Sequence, residues 1–200
     1  MPLKYFVKVG QVSNLSDARY CSAVQVNQIG FNVDQFSDNK ISIDKIDEII
    51  GWISGIDIVG EFGDSSPSYI NSVINKGIFN YIQINYPVNI NNIDFNHNNI
   101  IISIKAEDLI DFEFNKNFLV KYENIKFVII SNINDLSKKL KDMFSDNYKI
   151  LINPGNDFNF TQIQMKKYSF YGLSLIGSDE IRPGYKDYDS ISEIIDLIEI

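Results

Sequence analysis

The stretch Phe6–Arg19, FVKVGQVSNLSDAR, decides the fold, because it joins a predicted buried strand directly to a predicted helix. Phenylalanine and valine favour strands, and few turn residues interrupt the first half of the stretch. Asn14 or Ser16 can cap the helix, which we predict from Ala18 to about Val24. A second apolar run, Val26–Val33, follows this helix. A strand, a helix and a strand over about thirty residues form a βαβ unit, whose two strands are parallel.

The same alternation of apolar runs and helical spacing continues along the rest of the chain. Eight strands are predicted, with these bounds: Phe6–Val12, Gln28–Val33, Ile56–Gly63, Phe79–Tyr86, Ile100–Ala106, Lys126–Ser131, Lys149–Asn153 and Gly172–Ile176. Further helices are predicted over 43–54 (ended by Gly55), 67–76 (ended by Gly77), 135–144, 160–168, and from a cap at Asp189 or Ser190 to Ile198. Short or irregular helices are predicted around positions 88–98 and 107–117.

Eight consecutive βα units predict a compact (β/α)₈ TIM barrel, formed as one domain over residues 1–200. The continuous isoleucine, valine and phenylalanine runs indicate strands that are covered on both faces, as parallel strands are. An open doubly wound sheet is the alternative architecture. That sheet would require a glycine-rich phosphate-binding turn after the first strand, and residues 10–13 (GQVS) do not supply one.

Composition and charge limit the partners and the location of the protein. The chain has 200 residues, a formal net charge of −8 and a pI of about 4.6. This acidity argues against nucleic-acid and membrane partners, and we predict a cytoplasmic monomer or homodimer without a metal or a cofactor. The single cysteine, Cys21, leaves no internal disulfide, and its place on the inner helix face predicts a packed core thiol. The single histidine, His97, is predicted to lie in a solvated loop.

Active sites of this barrel type are built at the carboxyl ends of the strands. Those positions are rich here in amides and hydroxyls and poor in general acids and bases. The candidate ligand-binding residues are Lys8, Gln83, Asn85, Lys105 and Ser174. Three residues after strands seven and eight are candidates for binding a phosphate through backbone N–H groups, namely Gly155, Gly177 and Ser178. The alternative is that these glycines only form tight turns.

Two motifs near the ends of the chain resemble the phosphoribosylanthranilate isomerase family. Val7–Ala18 resembles the opening V-K-I-C-G-I-T-x-x-x-D-A of that family, and Gly172–Asp187 resembles its G-x-D-x-S-S-G-V-E-x-x-P-G-x-K-D signature. Shorter resemblances lie at Ile29–Phe31, Val59–Phe62 and Ile82–Asn85. The resemblance spans essentially the whole chain in order and implies the same barrel.

The family catalyses an Amadori rearrangement with a cysteine base after strand one and an aspartate acid after strand six. This resemblance places the cysteine position at Gly10 and the aspartate position at Ser131 or Ile130, so no residue is assigned a catalytic role. Three further family side chains, an arginine, a histidine and an aspartate, are replaced by Asn39, Asn85 and Ser174. Because a positioned acid or base contributes ~10²–10⁴-fold each, we predict that the reaction is lost or altered.

Three functional hypotheses stay open at this point. The first is an isomerase-like barrel that has lost the reaction and still binds a phosphorylated metabolite. The second is an active phosphoribosylanthranilate isomerase of tryptophan biosynthesis with relocated catalytic groups, for which Glu61, Asp64 or Glu107 could substitute. The third is a different sugar-phosphate enzyme that uses Lys105 or Glu61, or a scaffold for a protein partner.

Overall fold

Eight parallel strands close into a barrel in sequence order. The computed structural model describes residues 2–87, 92–95, 98–108, 123–131, 148–155, 159, 162, 170–177, 180–182, 185–186 and 188–200. The barrel strands are β1 Phe6–Gly10, β2 Gln28–Asn32, β3 Asp57–Glu61, β4 Tyr81–Asn85, β5 Asn99–Lys105, β6 Ile125–Ser131, β7 Lys149–Ile152 and β8 Gly172–Ile176. This closed parallel sheet confirms the predicted (β/α)₈ barrel.

Four helices and a small second sheet lie in the described ranges. The helices are α1 Leu15–Ala23, α2 Ile43–Ile50, α3 Pro67–Ile74 and α4 Asp189–Ile198. The second sheet pairs the antiparallel strands β9 Glu180–Arg182 and β10 Tyr185–Lys186. Of these described helices, none is long and apolar enough to cross a membrane.

Local capping signals explain where the first three helices begin. The side chain of Asn14 accepts the N–H of Asp17 ahead of α1, which settles the choice between Asn14 and Ser16. Serines at positions 42 and 66 cap α2 and α3 in the same way. Cys21 of α1 is 2% exposed and packs in the core, which confirms its predicted place.

Several predicted boundaries were wrong. Helices α2 and α3 end four and two residues before the predicted ends at 54 and 76, because their C-caps are Gly51 and Asn75. Helix α4 begins after Tyr188, which makes no side-chain cap bond, whereas Asp189 or Ser190 was the predicted cap. The Tyr188 hydroxyl donates instead to the buried Asp17 at 2.5 Å, which fastens the start of α4 to α1.

Strand β1 ends at Gly10, two residues before the predicted end at Val12, because Gln11 adopts a left-handed conformation with φ 55°. A short 3₁₀ turn, Ala106–Asp108, is the described part of the irregular segment predicted after strand five. Other predictions lie wholly or largely outside the described residues, namely those for 88–98, 109–117, 135–144, 160–168 and His97.

Alternate strand residues face the helices or the barrel interior. The larger apolar cluster lies between the sheet and the helices, and includes Ile29, Phe31 and Ile82. A separate cluster fills the interior with Val59, Ile101, Phe127, Ile129 and Leu151, against Phe6 and Tyr81. The Phe127 ring packs against Phe6 in a tilted arrangement and against Tyr81 edge to face, at centroid distances of 4.9 and 5.6 Å. These rings fill the amino-terminal end of the interior. A functional site is therefore expected at the carboxyl-terminal end of the strands.

We expect Gly172→Ala to lower the free energy of unfolding by about 1–3 kcal/mol. Gly172 pairs with Phe6 where β8 closes the barrel against β1, and a Cβ there would overlap the backbone oxygen of Phe6. The matched control is Gly51→Ala at the end of α2, where a Cβ would lie 3.6 Å from the Asp47 oxygen. That change should alter the free energy of unfolding by less than about 1 kcal/mol. Equal losses for the two variants in urea unfolding would contradict this account of barrel closure.

Candidate functional site

Polar side chains line the barrel interior above the aromatic end. In strand register, Lys8 of β1 lies beside Ser174 of β8 on one side and Gln28 of β2 on the other. Glu61 at the end of β3 lies beside Gln83 of β4. Lys8, Gln28 and Ser174 are buried, with exposed fractions of 1%, 0% and 4%. The barrel therefore contains a polar layer beneath its carboxyl-terminal mouth.

The centre of this layer is an ion pair between Lys8 and Glu61. The Nζ of Lys8 lies 2.5 Å from Oε1 of Glu61, and their side chains are 1% and 12% exposed. The second carboxylate oxygen, Oε2, accepts the backbone N–H of Gln11 at 3.0 Å. This N–H belongs to the residue with φ 55°, so backbone strain accompanies the contact. Two donors from β1 and the residue after it thus hold the carboxylate in one place.

The Glu61 carboxylate occupies the space in which a side chain at position 10 would begin. A Cβ at Gly10 would lie 2.5 Å from Oε1 of Glu61 and 3.1 Å from Nζ of Lys8. A Cβ at Gly30 of β2 would overlap the same carboxylate oxygen. Glycine at both positions therefore makes room for a carboxylate that reaches across from β3.

The end of β6 carries a hydroxyl group. Of the two positions considered there, Ile130 packs in the outer apolar cluster, and Ser131 is the residue at the strand end. The Ser131 hydroxyl lies 3.5 Å from the backbone oxygen of Ile104, to which it donates. Lys105 is the register neighbour of Ser131 and is 61% exposed, with its Nζ 3.9 Å from Glu107. This side of the mouth thus offers a hydroxyl and an exposed cation.

The glycines predicted to bind phosphate use their N–H groups within the chain. The N–H of Gly155, whose φ is 58°, donates to Oδ1 of Asn153 at 3.0 Å. The N–H of Gly177 donates to the backbone oxygen of Gly10 at 2.8 Å. An anion could accept a hydrogen bond from either N–H only if the internal hydrogen bond were broken. Ser178, the third predicted residue, lies outside the described residues.

The structure thus separates the five predicted ligand-binding residues into two groups. Lys8, Gln83 and Ser174 belong to the interior layer, while Asn85 and Lys105 stand at strand ends. Sequence reasoning missed Gln28, although a polar residue at an interior position of an apolar strand was a signal. It named Glu61 only as an alternative, although a lysine in a buried strand requires a countercharge.

Two buried glutamines add unused hydrogen-bonding capacity to this layer. Both amide atoms of Gln28, and Oε1 of Gln83, are buried without a hydrogen-bond partner among the described residues. In the same ranges, no three histidine, cysteine, aspartate or glutamate residues gather as a metal site. The site can therefore supply charge, proton exchange at a carboxylate, and amide hydrogen bonds.

A second polar region lies at the amino-terminal end of the barrel. A cavity of about 550 Å³ is lined there by residues that include Gln25, Asn27 and Asp57. Burial raises the pKa of Asp57, and burial with the nearby Asp57 charge raises the pKa of Tyr81. Because this end of the barrel serves stability in enzymes of the fold, we place the functional site at the opposite mouth.

We expect the losses of stability caused by Lys8→Met and Glu61→Gln to be strongly non-additive. Glu61→Gln leaves a buried ammonium without its countercharge and should cost about 3–5 kcal/mol. The double variant should lose clearly less than the sum of the two single changes. Lys45→Met is the control, because its pair with Glu48 at 3.3 Å is exposed and worth at most about 1 kcal/mol. Additive losses in urea unfolding would refute the coupling.

Comparison with known proteins finds solved structures that share this barrel fold. No protein-family model matches the chain, and no curated protein sequence is significantly similar to it. A phosphoribosyl anthranilate isomerase solved in complex with reduced 1-(o-carboxyphenylamino)-1-deoxyribulose 5-phosphate is 20% identical, with a TM-score of 0.77, over 96% of this chain and 97% of that chain.

Two further solved structures agree with this result. The phosphoribosyl anthranilate isomerase of Thermotoga maritima is 18% identical, with a TM-score of 0.77, over 98% of both chains. The N-(5'-phosphoribosyl)anthranilate isomerase of Pyrococcus furiosus is 16% identical, with a TM-score of 0.74, over 98% of both chains. At such low identity the likeness is one of fold. The chain has the barrel fold of the phosphoribosylanthranilate isomerases, and the fold that the resemblance in its sequence implies is confirmed.

Proposed function

We propose that this chain is an isomerase-like barrel that binds a phosphorylated small molecule at its mouth and lacks the Amadori activity of phosphoribosylanthranilate isomerase. The observation that carries the proposal is the Glu61 carboxylate, which is paired with Lys8 and fills the space beside Gly10. A strand-one cysteine base has no room there while this pair is in place.

The acid side of the reaction is also altered. A ring-opening step needs a proton donor at the leaving oxygen, and Ser131 at the end of β6 presents a hydroxyl that bonds to Ile104. The loss of one acid or base lowers the reaction rate by ~10²–10⁴-fold, so the loss of both removes most of the catalysis. We therefore infer that the isomerisation of phosphoribosylanthranilate is not the reaction of this protein.

Binding of a phosphorylated molecule is supported by the charge and placement of Lys105. This lysine is 61% exposed at the end of β5, beside Ser131, where an anion can reach its ammonium group. Asn85 lies at the end of the neighbouring strand β4 and is paired in register with Ser103. One similar barrel was solved with a deoxyribulose 5-phosphate derivative, which fits this class of ligand.

We expect the chain not to restore growth of a tryptophan auxotroph that lacks the isomerase. A known phosphoribosylanthranilate isomerase in the same vector is the positive control, and an immunoblot should establish equal protein levels. Growth at the control rate would contradict the proposal and would favour relocated catalytic groups.

We expect ribose 5-phosphate to raise the Tm of the protein, because a ligand that binds the folded state stabilises it by mass action. At 100 times Kd the gain is ~2.7 kcal/mol, or roughly 5–10 °C for a chain of this size. Lys105→Ala should weaken the binding about tenfold, since it removes a charged hydrogen bond. Lys126→Ala is the control, because that exposed lysine lies at the amino-terminal start of β6.

The absence of any Tm shift with millimolar ribose 5-phosphate would count against phosphate binding at the mouth. Ribose and inorganic phosphate, tested separately at the same concentration, show which part of the ligand contributes.

A further inference from the structure

We propose that Glu61 is the proton-transfer group of this barrel and that its substrate is an open-chain 2-hydroxy carbonyl compound with a phosphate group. The inference rests on the proposed function and names the substrate class of the same site. It uses two features of the mouth, namely the carboxylate present beside Gly10 and the hydroxyl present at Ser131.

A ligand at the mouth would meet Glu61 rather than Lys8. The Lys8 side chain is 1% exposed and that of Glu61 is 12% exposed, so the accessible part of the pair is the carboxylate. Lys8 lies beneath it and, with the N–H of Gln11, fixes its position. Glu61 is therefore the catalytic residue in this inference, and Lys8 is a positioning residue.

Two glycines give access to the Glu61 carboxylate. Positions 10 and 30 are glycines, so neither β1 nor β2 places a side chain over the oxygen that faces them. Ile176, the register partner of Gly10 on β8, is 48% exposed and gives this edge of the mouth an apolar surface. A small carbon chain can thus rest against Ile176 with a C–H bond directed at Glu61.

A single carboxylate can complete a proton transfer between two adjacent carbons. The carboxylate takes a proton from the carbon that bears the hydroxyl, and the C–H electron pair forms the carbon–carbon double bond of an enediolate. The carbonyl electron pair moves to its oxygen, to which the proton of the hydroxyl then passes. The carboxylic acid returns its proton to the former carbonyl carbon, so an aldose and a ketose interconvert without an oxidant or a cofactor.

The end of β6 favours an open-chain substrate. A cyclic ribosylamine needs an acid to open its ring, and the β6 end supplies the Ser131 hydroxyl in the place of that acid. An open-chain ketose phosphate needs proton transfer between two adjacent carbons only. Gln83 lies beside Glu61 in register, and its buried Oε1 has no hydrogen-bond partner among the described residues. This oxygen can accept a hydrogen bond from a substrate hydroxyl.

The test is deuterium incorporation from D₂O into ribulose 5-phosphate, an open-chain ketose, followed by NMR at C1. We expect the wild-type chain to exchange this C–H above the buffer rate, and Glu61→Gln to lose at least about 100-fold of that rate. Both proteins should still show a Tm shift with ribulose 5-phosphate. Glu48→Gln, which changes an exposed glutamate of α2, should exchange at the wild-type rate.

A double variant distinguishes a loss of exchange from a loss of folding. Lys8→Met/Glu61→Gln leaves no unpaired buried charge and should fold, bind and fail to exchange. Lys8→Arg should retain part of the rate, while Lys8→Met should lower kcat with little change in KM and shift the pH profile of exchange, as expected for a positioning residue.

Each outcome decides the inference. Exchange lost in the Glu61 variants with binding retained supports it. Binding of ribulose 5-phosphate without exchange by the wild-type chain overturns it and leaves the proposed function intact. Exchange at an equal rate in Glu61→Gln also overturns it, and the absence of binding by every phosphate probe overturns both proposals.

Discussion

The buried ion pair of Lys8 and Glu61 is the constraint on which the carboxyl-terminal half of this barrel depends. A lysine that is 1% exposed inside a barrel is tolerated only with a countercharge, because an unpaired buried ion costs several kcal/mol. Glu61 supplies that charge from two strands away, and glycines at 10 and 30 leave it room. The left-handed Gln11 adds a second donor to the same carboxylate.

A buried ion pair is weak evidence for stability, since an apolar pair of similar volume is often as stable. The stability of this fold comes instead from its apolar layers. The outer cluster packs the strands against the helices, and the rings of Phe6, Tyr81 and Phe127 fill the amino-terminal interior. The polar layer above these rings has the burial, charge and strain that are characteristic of a functional site.

The comparison with solved isomerases separates fold from chemistry. Structures that are 16–20% identical share the barrel over nearly the whole chain. At this identity the likeness is one of fold alone, because a barrel of this type holds its reactive groups on strand ends and loops that change without altering the core. At the mouth of this barrel, β1 ends at Gly10, β3 ends at Glu61 and β6 ends at Ser131.

The barrel, the burial of Cys21 and the starts of α2 and α3 were predictable from the sequence, whereas α1 begins at Leu15, three residues before its predicted start. Strand periodicity and capping are local patterns, legible over a few residues. The end of β1 was less predictable, because the left-handed Gln11 that follows it donates its N–H to Glu61, a residue distant in sequence. The contact between Lys8 and Glu61, which is 53 residues away, is visible only in the folded barrel. That contact depends on the closure and register of the strands, which bring distant side chains into one interior and which no local pattern encodes.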